Sequence, residues 1–112
     1  MEFVSAKLVN QAAVLREDLP PVFEVRVHLT AEEYRGVTSN LAGLQRALGR
    51  KLDGYGELMG CPPNADGSAD LLVVMVGERA ASVVRDSSRA TPLGQKVCRE
   101  FAAVLKGLPT KP

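Results

Sequence analysis

The chain is poor in the residues that usually announce chemistry. It has one His, two Cys, no Trp and no Ile, and aromatic residues make up 4% of it. One His and two distant cysteines, with no C-x-x-C pair, exclude a zinc site built on the usual ligand spacing. Asp66 and Asp70 offer oxygen ligands, but they lack the density of a calcium loop, so neither a metal nor a cofactor is expected. Gly54-x-Gly56-x-x-x-Gly60 is one residue too long for a dinucleotide fingerprint, and it opens a strand where that motif needs a helix.

Net charge is also lacking. Fourteen Lys and Arg stand against 13 Asp and Glu, a formal +1, too balanced for a polybasic nucleic-acid binder or an acidic tail. No apolar run is longer than Leu71–Val76, whereas a bilayer helix needs about 20 residues. Met1–Lys7 shows no basic segment followed by an apolar one. The expected compartment is therefore the cytoplasm, with Cys61 and Cys98 as free thiols.

What is present is a core. The hydrophobic fraction of 46% over 112 residues excludes a disordered chain and suits one domain that buries roughly two-thirds of its unfolded surface. Residues 22–29 alternate: Phe23, Val25, Val27 and Leu29 against Glu24, Arg26 and His28, the mark of a strand with one buried face. Thr30 followed by Glu33 is a capping box. It opens a helix whose stripe Tyr34, Val37, Leu41, Leu44, Leu48, Leu52 predicts one continuous element ending at Asp53-Gly54. Gly36, Asn40, Gly43 and Ala47 form a second line that suits a close backbone contact.

Residues 54–61 and 69–76 read as a hairpin joined by the Pro62–Gly67 turn, the second strand being apolar enough to lie centrally with both faces covered. Residues 78–90 are ambiguous between helix and strand. Thr91-Pro92 starts a final helix through Val97, Phe101, Val104, Leu105 and Leu108. Residues 1–20 are expected to form an N-terminal helical segment, from Val4, Leu8, Ala12 and Leu15, with alternation of Val4, Ala6 and Leu8 as the competing reading. Residues 108–112 are expected to fray. The expected class is α+β: a small antiparallel sheet of three to four strands, helices on one face, and a βαββα core related to the ferredoxin-like arrangement, with no fourth strand in evidence.

Two groups of residues are candidates for function. Glu24, Arg26 and His28 share the polar face of a strand, and a hairpin would bring Tyr55 or Glu57 near them, so this face suits a small ligand or acid–base chemistry. Arg79, Arg85 and Arg89 lie in a C-terminal segment, residues 78–112, that carries seven Lys and Arg against three acids. The first 77 residues carry seven against ten. That segment suits an anion or partner contact. Cys61 lacks a base that the sequence places beside it, which leaves no catalytic constellation. The leading expectation is a non-enzymatic interaction or regulatory module acting as a homodimer, because so few strands leave a sheet edge open. A small-ligand protein or small enzyme using the His28 face is the alternative. A nucleic-acid accessory protein using the basic C-terminal segment ranks last, and a membrane is not expected.

Overall fold

A computed structural model describes residues 1–9 and 20–108. Their order is β1 (Glu2–Leu8), β2 (Phe23–Leu29), α1 (Ala31–Ser39), α2 (Leu41–Lys51), β3 (Tyr55–Gly60), β4 (Ala69–Met75), α3 (Glu78–Arg85), a 3-10 turn at Ser87–Arg89 and α4 (Ala90–Lys106). The four strands form one sheet in the order β1-β2-β4-β3, with every neighbouring pair antiparallel. The class is α+β.

The first correction falls at the N-terminus, which opens with a strand and not a helix. The remainder of the expected helical segment, residues 10–19, lies outside the described residues, as do 109–112 of the expected frayed tail. The edge strand β1 was hard to read because it carries a bulge: Phe3 pairs with Val27 and Ser5 with Arg26, leaving Val4 extra. The bulge puts Phe3 and Ala6 on the same face, three residues apart. Alternation is broken where the sequence would display it. Both residues press on α4 at Gly94, where an added Cβ would stand 2.6 Å from Ala6 Cβ and 2.6 Å from Phe3 Cε1. Gly94 is what lets α4 lie this close to β1.

The second correction is that the helix after the capping box is two helices. The box itself is formed, Thr30 Oγ1 accepting from Glu33 N–H and Glu33 Oε1 from Thr30 N–H. The chain then breaks at Asn40 (φ −142, ψ 44). Thr38 and Ser39 turn their hydroxyls back onto carbonyls of α1, an alternative to continuing the helix. The Asn40 amide occupies the space that a Cβ on Gly43 would need, at 2.6 Å. The line of small residues otherwise faces α4. Gly36 meets Leu105, and Ala47 lines a cavity of about 240 Å³ with Lys51, Ala103, Val104, Gly107 and Leu108. Residues 78–85 are helical.

The two central strands give one side chain in two to the helices. Phe23, Val25, Val27 and Leu29 of β2, with Ala69, Leu71, Val73 and Met75 of β4, are buried against Val37, Leu44, Leu48, Val83, Val97 and Phe101. Gly54 (φ +83) turns the chain from α2 into β3. A side chain there would strike the Val76 carbonyl oxygen at 2.4 Å, so the position needs both the left-handed conformation and the missing Cβ. The other face of the sheet carries no helix among the described residues. β4 is central, between β2 and its hairpin partner β3; of its side chains on this other face Asp70 and Leu72 are partly exposed and Val74 is buried.

Candidate functional site

The uncovered face is a grid whose rows are set by strand register. At one end, Glu2 of β1 stands opposite His28 of β2 and His28 opposite Asp70 of β4. Cys61, just past β3, donates its N–H to the Asp70 carbonyl at 3.2 Å. The next row is Ser5, Arg26, Leu72, Met59, and the next is Lys7, Glu24, Val74, Glu57. Beyond it the ladder continues through Val9 and Val22, joined by a 2.8 Å bond, to Val76, bonded to Gly54. One end of the face is thus polar and the other apolar.

The polar end is organised by Asp70. Its Oδ2 accepts from Arg26 Nε at 2.7 Å, and its Oδ1 lies 2.7 Å from His28 Nδ1. The hydrogen bonds from His28 and Arg26, with their charges, hold the Asp70 carboxyl below the usual carboxylate range, against a smaller opposing effect of desolvation. The same partnership pushes the Arg26 guanidinium up. An ionised carboxylate can only accept, so Nδ1 of His28 carries the proton. Nε2 makes no hydrogen bond among the described residues. A carboxylate that fixes the tautomer of an imidazole is the arrangement of an oriented base. Next to it, Asp66 Oδ1 accepts from Ser68 N and Oγ, bonds that lower its own carboxyl range, with His28 adding a minor electrostatic contribution.

Four of the five residues expected on this face lie on it, and of these Arg26 and His28 meet at Asp70, while Glu24 stands two rows away. Glu57 stands in the same row as Glu24, with Val74 between them. Tyr55 is a correction. It pairs with Met75 on the helix side, where its hydroxyl is buried with no hydrogen-bond partner among the described residues, because the bulge between Tyr55 and Glu57 shifts the alternation of β3. Burial pushes its phenol up. Asp70 takes the role of partner instead. Its signal in the sequence is faint, one acid at the head of an apolar strand, and only the pairing of β2 with β4 puts it beside His28.

Cys61 makes no hydrogen bond to His28, and the strand bearing Asp70 runs between them, so no nucleophile–base pair forms. Cys98 is buried in α4, and burial pushes its thiol up. Both cysteines are free. Among the described residues no group of three or more His, Cys, Asp or Glu stands where it would hold a metal ion, and no helix is long and apolar enough to cross a membrane.

The C-terminal arginines are occupied. Arg79 grips Glu100 through two bonds of 2.9 and 3.3 Å, tying α3 to α4, Arg85 bonds Glu78, and Arg89 lies 3.7 Å from Asp86. Arg79 is thus largely enclosed, while Arg85 and Arg89 keep most of their side chains exposed beside their acids. No family model, no curated protein and no solved structure matches the chain.

Proposed function

We propose that the chain is a non-enzymatic interaction module that acts as a homodimer, joined through the uncovered face of its sheet. The observation that carries this is the apolar strip that starts at the far end of that face and runs along β4. Val9, Val22 and Val76 form the last row, and Val74 and Leu72 of β4 continue from it between charged neighbours to Met59; Val74 is buried, while Val9, Met59 and Val76 are among the large apolar side chains exposed among the described residues. Contiguous exposed apolar surface marks an interaction site more often than scattered residues do. The edges are poorer candidates, because both edge strands carry a bulge, which discourages edge-to-edge pairing. A second copy is the simplest occupant, since a two-fold contact needs only one self-complementary patch. Four strands about 4.8 Å apart and seven residues long at about 3.3 Å each present roughly 450 Å² per copy. That is below a standard interface, so a micromolar, concentration-dependent dimer is expected.

Sedimentation across a wide concentration range tests this. Wild type should shift from monomer to dimer, and the double variant Met59→Glu, Val76→Glu should stay monomeric. A wild-type chain that remains monomeric throughout, or a double variant that still pairs, overturns the reading.

We also read the topology as related to the ferredoxin-like arrangement. β2 and β3 run parallel on either side of β4, with α1 and α2 crossing between them, and β1 takes the edge that a final strand would otherwise fill. A second functional reading, a small-ligand or acid–base site, is favoured by one observation, the Asp70-oriented imidazole with its free Nε2. Native mass spectrometry of the purified chain tests it: a small molecule retained by wild type and lost by His28→Ala supports it, and none retained counts against it.

A further inference from the structure

Charge that is balanced along the chain is sorted in space. On the sheet side stand Glu2, Glu24, Glu57, Asp66 and Asp70, against Lys7 and Arg26. On the helix side the balance reverses. Arg46, Arg50 and Lys51 of α2, and Lys96, Arg99 and Lys106 of α4, are exposed and form no ion pair with any described residue. Arg35 of α1 is in the same state. The acids of these helices are mostly spent: Glu33 holds the amino group of Met1 at 2.9 Å, and Glu100 holds Arg79. Glu32 and Asp53 alone remain unpaired there.

The cations also share a surface. Lys96, Arg99 and Lys106 are three and seven residues apart, on the side of α4 turned away from Val97 and Phe101. At 1.5 Å per residue they form a ridge about 15 Å long. Arg46 and Arg50 are one turn apart on α2, opposite its buried Leu44 and Leu48. The two helices pack against each other, with Ala47 and Lys51 sharing a cavity with Ala103 and Val104, and each ridge lies on the side of its helix turned from the core.

We propose that this outer surface of the helix layer binds the phosphate backbone of a nucleic-acid duplex. The duplex carries about one charge per 1.7 Å of axis, so a ridge of this length meets several phosphates. Single strands are disfavoured because the surface offers no stacking aromatic; Phe101 is fully buried beneath it. A lipid surface is disfavoured because Leu41 is the only large apolar side chain exposed on the described helices. The proposal is independent of the homodimer: pairing through the sheet leaves both helix layers outward.

Anisotropy of a labelled duplex of about 20 base pairs, titrated with the full chain from about 50 to about 200 mM salt, tests it. Binding in the micromolar range at low salt is expected, with log K falling by about 0.9 per phosphate contact for each decade of salt. The triple variant Arg46→Gln, Arg50→Gln, Arg99→Gln should weaken binding more than about tenfold and reduce the slope by roughly 2 to 3. Arg85→Gln, Arg89→Gln removes arginines already paired, and should leave affinity within about twofold. Should the triple variant fail to fold, Arg46→Gln and Arg99→Gln singly should each lower the slope by about 1. The proposal fails if wild type does not bind at about 50 mM salt. It fails if the triple variant matches wild type, or if the Arg85, Arg89 variant loses as much as the triple. It also fails if polyglutamate of equal charge competes as well as unlabelled duplex, which would assign the surface to an acidic protein.

Discussion

Along β2, Phe23, Val25, Val27 and Leu29 are fully buried, while Glu24, Arg26 and His28 between them remain half-exposed. The same seven residues therefore belong to two environments. On the covered face the side chains of β2 meet the helices in an apolar core. On the uncovered face, neighbours across the strands are all that a side chain has, and they are charged at one end and apolar at the other. The difference teaches where stability and function are separable. Removing area from the covered face costs folding free energy, whereas changes on the uncovered face act on whatever meets it.

The largest expected effect is on the covered side. Phe23→Ala leaves a cavity with no solvent to fill it and should cost about 3–5 kcal/mol in urea unfolding. Met59→Glu, on the other face and half-exposed, should shift unfolding by no more than about 0.5 kcal/mol. Equal losses would break the comparison between the faces.

Gly94→Ala sharpens it next. Alanine normally improves a helix interior, yet here the new Cβ meets Phe3 and Ala6, so about 1–3 kcal/mol of destabilisation is expected from the overpacking. A gain in thermal midpoint would show that β1 and α4 separate easily.

On the uncovered face, Asp70→Asn should cost about 1 kcal/mol, because the carboxylate is partly exposed and its bonds to Arg26 and His28 are screened. The sign of the pH effect follows from the lowered carboxyl. Its stabilisation is complete above the unfolded value, near about 4, and fades as pH falls through the lower folded value. Stability measured between about pH 5 and pH 2 should therefore fall less steeply in Asp70→Asn than in wild type. Identical slopes would remove Asp70 from the network.

The smallest effect belongs to Gly49→Ala in α2, where nothing lies within 4 Å of the new Cβ. A gain of about 0.5–1 kcal/mol is expected, opposite in sign to Gly94→Ala. A loss there would mean that the exposed side of α2 is not free.

Several elements were legible because they depend on neighbouring residues. The alternation of β2 and the Thr30–Glu33 box appear where the residue types predict them, whereas α2 stops at Lys51 with Leu52 as its cap and Gly54 serves the turn into β3. Other features were not legible, for reasons that can be named. Val4, Leu8, Ala12 and Leu15 imitate a helical stripe, and the bulge at Val4 hides the strand that β1 is. Asn40 breaks a stripe of Leu residues that is regular on both sides of it. Tyr55 and Glu57 look like equivalent neighbours of His28, but a bulge between them sends one to the core and leaves the other on the open face.

The sequence by itself determined which side chains must be buried and where β2 and α1 begin, because burial periodicity and backbone capping are local. Only the tertiary structure decided that Asp70, 42 residues beyond His28, is its partner, and that the helix layer carries seven cations with no ion pair among the described residues. Strand register and helix packing bring together residues whose distance along the chain carries no information about their distance in space. A net charge of +1 is a sum over the chain, and a sum does not record where its terms are placed.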